Sequence, residues 1–485
     1  MKNKKIAKNY IYNLVYQIII VILPIITTPY LSRVLGAENL GIYGYTISIV
    51  TYFTLFASLG IAKYGQREIA YVQDDIEKRS KNFWEINVIR LLTTIIASII
   101  FYMFFCIKGE YNVYYRVLLL ELISIIFDIS WFFQGIEDFK KIVIRNGIIK
   151  IISVILIFIL VKNQEDLLKY FIIYVMSNVI GNLTLWIKIK KYVTKPKVNL
   201  KDLKKHIKPM ISLFIPQVAT SIYTVLDKTM LGTLSNNISE VGFYEQSQKI
   251  VKVALTFVTT MSIVMMPRIS RTYAQGDKNK IEDYMNKSFR FNWFFGIPIM
   301  FGIMGISEKM VPWFFGSGYE KVIKLIEYSS PIIIFIAFST TLGSQYLISI
   351  KKQNVHTVAV LNGAICNIIL NFILIPKYQS IGAVIATICA EFTITTIEIL
   401  FVTIKKYIQL KNIFVYSSRY IVSGLIMYII EKILAMVIKT SIINTFIQII
   451  IGILVYCLML IIIKDDFFVN NIKDILKKLK GEQAK

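Results

Sequence analysis

The chain has 485 residues, 55% of them hydrophobic and 18% charged, with a mean hydropathy of +0.60. That balance excludes an ordinary soluble protein, whose apolar share is offset by more charge. The formal charge of +25 would suggest nucleic acid in a soluble protein, but here the lysines and arginines sit in short loops between apolar runs, where membrane topology accounts for them.

Each helical crossing of a ~30 Å hydrocarbon core needs ~20 apolar residues. Such runs fall near 10–34, 40–62, 83–107, 112–134, 142–162 and 167–188, then 208–232, 241–267, 287–307, 321–350, 356–376, 380–403, 417–438 and 442–463. The fold class is therefore all-α integral membrane, with about fourteen spans. The expected organisation is a six-helix bundle over 1–190, a basic linker over 191–207, a second six-helix bundle over 208–404, two further spans over 417–463, and a basic tail over 464–485. The tail reads as an amphipathic helix, with Phe468, Ile472, Ile475, Leu476 and Leu479 on one face, or as a solvated end.

Basic residues alternate in density from loop to loop. Lys63, Arg67, Lys78, Arg79 and Lys81, the run from Lys188 to Lys208, and Lys351/Lys352 share a side with both termini, which the positive-inside rule makes cytoplasmic. The expected location is the bacterial cytoplasmic membrane, multi-pass. Cys106, Cys366, Cys389 and Cys457 lie in apolar runs without metal or redox spacing, and His206 and His356 fall in basic loops away from any hydrolytic arrangement. No enzyme chemistry is expected.

The two halves resemble each other. Pro24, Leu35-Gly36 and Gly41-Ile42-Tyr43 recur as Pro216, Leu231-Gly232 and Gly242-Phe243-Tyr244. Six spans separate the copies, so both enter the membrane from one side, as in a parallel repeat that rocks about an axis along the membrane normal.

Polar residues recur at helical spacing on several spans. Span seven carries Gln217, Thr220, Ser221, Thr224, Asp227 and Lys228, span eight carries Glu245, Gln248, Lys249 and Lys252, and span one carries Asn13, Gln17 and Thr27. Such stripes avoid lipid, and they imply a cationic cavity between the halves in which Lys249, Lys252, Glu245, Gln248, Asp227, Lys228, Arg90, Arg290 and Lys150 are candidate substrate contacts. Isolated hydroxyls are explained well enough by helix-to-helix hydrogen bonds. Carboxyls at depth, Glu121, Asp227 and Glu391, either pair with a base such as Lys150 or take up an ion and act as coupling sites. No cofactor is expected beyond a coupling proton or sodium ion, and no ATP-binding motif is present.

Pro29-Tyr30-Leu31-Ser32-Arg33-Val34-Leu35-Gly36, Gly41-Ile42-Tyr43-Gly44 and Tyr64-Gly65-Gln66-Arg67-Glu68-Ile69-Ala70 resemble the bacterial polysaccharide-transport flippases, the Wzx-type O-antigen and capsule repeat-unit members of the MOP superfamily. Trp131-Phe132-Phe133-Gln134-Gly135 and Phe315-Gly316-Ser317-Gly318-Tyr319 support the likeness. The resemblance implies a MATE-like fold and an undecaprenyl-pyrophosphate-linked oligosaccharide as substrate. It also implies membrane lipid, and the polymerase and glycosyltransferases of the same pathway, as partners, and it argues against nucleic acid. A multidrug or organic-cation antiporter on the same fold, and a membrane glycosyltransferase or polymerase, are the alternatives.

Overall fold

The computed structural model describes residues 2–195 and 198–469, with side chains from residue 22 onward except at 139, 188, 200, 216, 217, 219, 220, 222–224 and 410. The side chains of Asn13, Gln17, Gln217, Thr220 and Thr224, and the tail from 470 to 485, lie outside the described residues. Helices follow in the order α1 (Lys2–Ser58), α2 (Ile61–Tyr71), α3 (Ile76–Phe101), α4 (Asn112–Ser124), α5 (Ser130–Gly135), α6 (Phe139–Leu160), α7 (Leu167–Thr184), α8 (Lys204–Leu234) and α9 (Ser239–Ala274). They continue as α10 (Lys278–Phe315), α11 (Glu320–Ser329), α12 (Ile332–Ser339), α13 (Gln353–Tyr378), α14 (Ser380–Ile404), α15 (Leu410–Phe414), α16 (Ser417–Val437) and α17 (Ile442–Ile462). Among the described residues twelve helices are long and apolar enough to cross a membrane. The first, Ile22–Tyr71, contains two of the apolar runs, and α8 carries another, so all fourteen runs lie in helices.

The chain forms two compact units, 1–242 and 243–485. In the first, α1 breaks at Gly36, whose φ of 77° and ψ of 172° belong to a region open almost only to glycine. The break leaves carbonyls without helical partners, and side chains tend the junction. Asn39 Nδ2 donates to Leu35 O at 3.1 Å and to Gln164 O at 2.8 Å, while Tyr30 Oη donates to Val161 O at 2.6 Å. These bonds tie the first sequence block to the α6–α7 turn.

The two glycine copies of the repeat meet within this unit. A Cβ on Gly41 would overlap the carbonyl oxygen of Ile238, and one on Gly242 would overlap that of Ala37, so each copy sits against the residue four before the other. Gly65 faces the Trp131 ring with no room for a methyl group, and Gly135 faces Ile69. Two of the blocks that carried the family resemblance are thus the two sides of the α2–α5 contact. Around it Phe83, Trp131, Phe132 and Met210 form a buried cluster, and Leu35, Phe101, Leu118 and Phe171 form another.

In the second unit α10 packs on α16 and α17, and α13 and α14 make a tight hairpin in which Gly363 sits against Ile394. Phe289, Trp293, Phe338 and Tyr420 fill its core. Gly316 and Gly318, at φ of 98° and 85°, form the turn between α10 and α11, where Phe315 stacks on Tyr319.

Adding a methyl group at Gly41 or Gly242 should destabilise the chain by about 1–3 kcal/mol, the usual cost of overpacking. Gly302→Ala, whose Cβ would meet only Met427 Cε at 3.6 Å, should be nearly neutral. Thermal melting of the purified protein in nanodiscs compares them, and equal melting points would contradict the close contact.

Candidate functional site

An open cavity of about 860 Å³ lies in the first unit between α1, α4, α6 and α7. Its polar lining comes from two helical stripes. Arg145, Asn146, Lys150 and Ser153 project from α6, and Tyr170, Tyr174, Ser177, Asn178 and Asn182 project from α7, at the three- and four-residue spacing that keeps side chains on one helix face. Thr27 and Thr54 close it from α1, and Glu121 enters from α4.

Glu121 is held by two donors, Tyr174 Oη and Asn178 Nδ2, each 3.1 Å from Oε1. Its Oε2 is buried without a hydrogen bond. Arg145 donates from Nη1 to Gly181 O at 2.6 Å and from Nε to Asn146 Oδ1 at 2.8 Å, so its guanidinium is fixed against the wall. Lys150 lines the same space, and among the described residues no ion pair to it is found. With Asp128 also lining, two acids and two bases face one chamber whose remaining wall mixes hydroxyls, amides and tyrosines with Leu, Ile and Val side chains. Such a wall offers donors and acceptors to a hydroxyl-rich ligand.

The sequence-predicted residues distribute unevenly. Glu121 and Lys150 come together in the cavity. Arg90 is 1% exposed, bonds the backbone oxygen of Asp128, and faces the Asp128 carboxylate at 3.9 Å. It braces the end of α4 and lies 6.0 Å from the Trp131 ring. Asp227 is buried on α8 and Lys228 beside it is half-buried. On span two Ser48 bonds Thr229 of α8 at 2.8 Å, a helix-to-helix contact.

In the second unit Lys249 lies 3.6 Å from Glu245, one turn away on α9, and donates to Gln246. Gln248 is half-buried, Lys252 is exposed, and Glu391 is buried on α14. Arg290 is committed elsewhere, donating to Asp466 at 2.6 and 2.8 Å, to Asp465 at 2.9 Å and to the Tyr420 hydroxyl at 3.1 Å.

Tyr170, Tyr174, Asn178 and Asn182 were not among the sequence candidates, although their spacing on span six is the same signal that marked spans seven and eight. Neutral amides and phenols carry no charge to draw attention in an apolar run. Tyr43, from the Gly41-Ile42-Tyr43-Gly44 block, packs on both Tyr170 and Tyr174, which explains why that block neighbours the chamber.

A multi-pass helical membrane protein with two such units and an internal polar chamber has the architecture of a transporter of the MOP type. Residues 6–273 match the polysaccharide biosynthesis protein family, and residues 213–373 match MatE. The chain belongs to the polysaccharide biosynthesis family, the Wzx-type flippases of the MOP superfamily. It is 24% identical over 406 residues to a protein assigned as an O-antigen transporter in Escherichia coli (strain K12), covering 82% of this chain and 96% of that one. It is 23% identical over 391 residues to a capsular polysaccharide biosynthesis protein of Staphylococcus aureus, covering 80% and 96%. Among solved structures the lipid II flippase MurJ, in an inward closed conformation, aligns with a TM-score of 0.76 at 20% identity over 94% of this chain and 99% of that one. An inward-facing multidrug MATE transporter aligns at 0.60 and 13%, over 80% and 94%. These structural likenesses concern the fold.

The Arg290 clamp has a pH signature. Hydrogen bonds from Arg290 hold the Asp466 carboxyl at about 2, below the ordinary carboxylate range. Its folded value lies below its unfolded one, so this bond contributes fully above about pH 4 and is lost as pH falls towards 2. Melting curves between pH 6 and 3 should show a steeper acid loss in the wild type than in Asp466→Asn.

Proposed function

We propose that this protein is a flippase that carries undecaprenyl-pyrophosphate-linked oligosaccharide repeat units across the bacterial cytoplasmic membrane by alternating access, with both termini in the cytoplasm, for synthesis of a surface polysaccharide. The observation that carries the reading is the hydroxyl- and amide-lined chamber of the first unit, in a chain of this family. Glycan hydroxyls pair with Asn, Ser and Tyr side chains without the desolvation cost of a charge, while a polyprenyl tail stays in lipid.

In this reading Lys249 and Lys252 hold the pyrophosphate. Two lysines one turn apart cost roughly 2.5–3.5 kcal/mol each at the centre of a membrane helix unless water or a partner receives them. Glu245 lies 3.6 Å from Lys249, and the ammonium groups of the two lysines supply the charged donors that a pyrophosphate oxygen accepts from most strongly. Glu121, with one oxygen bonded and the other open, is the proposed coupling carboxyl for a proton or sodium ion. A cation antiporter would want an acidic substrate patch, and α9 presents the opposite charge. A glycosyltransferase or polymerase of the same pathway would carry a sizeable external domain, and the loops between these helices are short.

The test is a depletion strain complemented with variants and scored for lipid-linked repeat units trapped on the inner leaflet. The Lys249→Gln/Lys252→Gln double variant should reach normal membrane levels and lose export by at least about tenfold, the equivalent of 1.4 kcal/mol. Full export by that well-expressed variant would refute the phosphate contact. Failure of the strain to accumulate any lipid-linked glycan would refute the substrate class.

Glu121→Gln separates coupling from binding. It keeps the Tyr174 and Asn178 contacts but cannot ionise, so repeat-unit binding should persist while the dependence of export on the ion gradient disappears. Export with an unchanged gradient dependence would remove Glu121 from the coupling role.

A further inference from the structure

The two histidines of the chain, read from the sequence as basic-loop residues, are each bonded to a fully buried glutamate on a neighbouring helix. The two pairs differ in their surroundings. His206, at the start of α8, places Nε2 2.8 Å from Glu85 Oε2 and Nδ1 2.6 Å from the Tyr64 hydroxyl. Lys205 also reaches Glu85 Oε2 at 2.8 Å, Lys81 stands 3.8 Å from Oε1, and Asp202 holds Lys81 at 2.6 Å. Glu85 therefore has two lysines beside it as well as His206, although its Oε1 makes no hydrogen bond.

His356, in the first turn of α13, places Nδ1 2.6 Å from Glu398 Oε1 on α14. Glu398 is 0% exposed and its Oε2 has no hydrogen bond, while the His356 side chain is 23% exposed. No lysine or arginine among the described residues pairs with Glu398. The pair fills a notch at Gly343, where a Cβ would overlap both the imidazole and the carboxylate. Gly343 lies in Thr340–Leu347, a π-helical stretch after α12, and such stretches mark strained, often functional, places in a helix.

On α11, which packs on α14, the charged groups are Glu320, Lys321, Lys324 and Glu327, of which Glu327 pairs with Lys432 at 2.6 Å and Lys321 donates to Gln379. On α10, Arg290 is bound to Asp465 and Asp466, and Glu282 accepts from Asn412. On α12 and the π-helical stretch the polar neighbour is Ser339. On α14 the next carboxylate is Glu391, two turns earlier. Lys351, Lys352, Lys405 and Lys406, in the turns flanking α13 and α14, are all exposed on the surface.

We infer that His356 and Glu398 form a proton-binding site whose occupancy governs the packing of the π-helical stretch against α13 and α14. One proton enters from water at the exposed imidazole, on Nε2, and the Nδ1 proton moves to Glu398 Oε1. The pair passes from a net charge of −1, neutral imidazole beside carboxylate, to 0. An ionised Glu398 whose partners are a neutral imidazole and the Ser339 hydroxyl, with no cation beside it, is costly in a dry site, so loss of the proton favours an arrangement that admits water at the Gly343 notch. The Glu85 pair differs in having two lysines at its carboxylate. This inference stands independently of the transported substrate.

The test uses the full chain in nanodiscs with ¹⁵N-labelled histidine, which gives two imidazoles to follow. Between about pH 5 and 8, the range in which histidine changes charge, the signal absent from His356→Gln should change with pH, and its midpoint should move in Glu398→Gln. Hydrogen–deuterium exchange over 340–347, corrected for intrinsic rates, should accelerate above that midpoint in the wild type and lose the step in His356→Gln. A His356 signal constant across the range, or an exchange step that survives in His356→Gln, would overturn the proposal. If Glu398→Gln fails to fold, the wild-type and His356→Gln exchange profiles still decide it.

Discussion

A peptide group inside hydrocarbon has no water to bond, so every backbone donor and acceptor must find its partner within the protein, and every polar side chain must face inward or towards water. Helices meet the first demand along their length. The second is met at breaks, and the break of α1 at Gly36 shows how: Asn39 and Tyr30 reach the carbonyls that the helices leave open and bind α1 to the α6–α7 turn. Much of the first unit depends on that junction, because it aims the second half of α1, with Tyr43, at the chamber.

Charges in the spanning region sort by the same demand. Arg90 is given to Asp128, Arg290 to Asp465 and Asp466, and Lys432 to Glu327 at 2.6 Å. These pairs join sequence positions far apart and stabilise contacts between helices. Several buried carboxylates keep an oxygen without a hydrogen bond, Glu85, Glu121, Glu398 and Glu431 among them, and Lys150 faces the chamber. A protein that meets a steep cost for each buried charge keeps an incompletely satisfied one where that charge has work to do.

Glycine sets how closely the helices approach. Gly41 and Gly242 bring the two copies of the repeat into backbone contact, Gly65 receives Trp131, and Gly343 receives a histidine–glutamate pair. These glycines thus act as sockets, and for Gly65 and Gly135 the partners, Trp131 and Ile69, lie in each other's block. This gives the family blocks a physical content that their order along the chain does not reveal.

The sequence by itself determined the helical crossings, since a run of some twenty apolar residues has one stable conformation in lipid, and it showed the repeat and the family through blocks whose spacing survives in both copies. It also pointed to Glu121 and Lys150 as charges at depth. Only the tertiary structure decided which charges are spent. Arg90 and Arg290 look like Lys150 in sequence, yet two are locked to carboxylates 38 and 175 residues away and the third faces a cavity. Both histidines likewise gained their glutamates only through helix packing, over separations of 121 and 42 residues. Hydropathy is a local property and pairing is not, so composition finds the membrane while the fold finds the site.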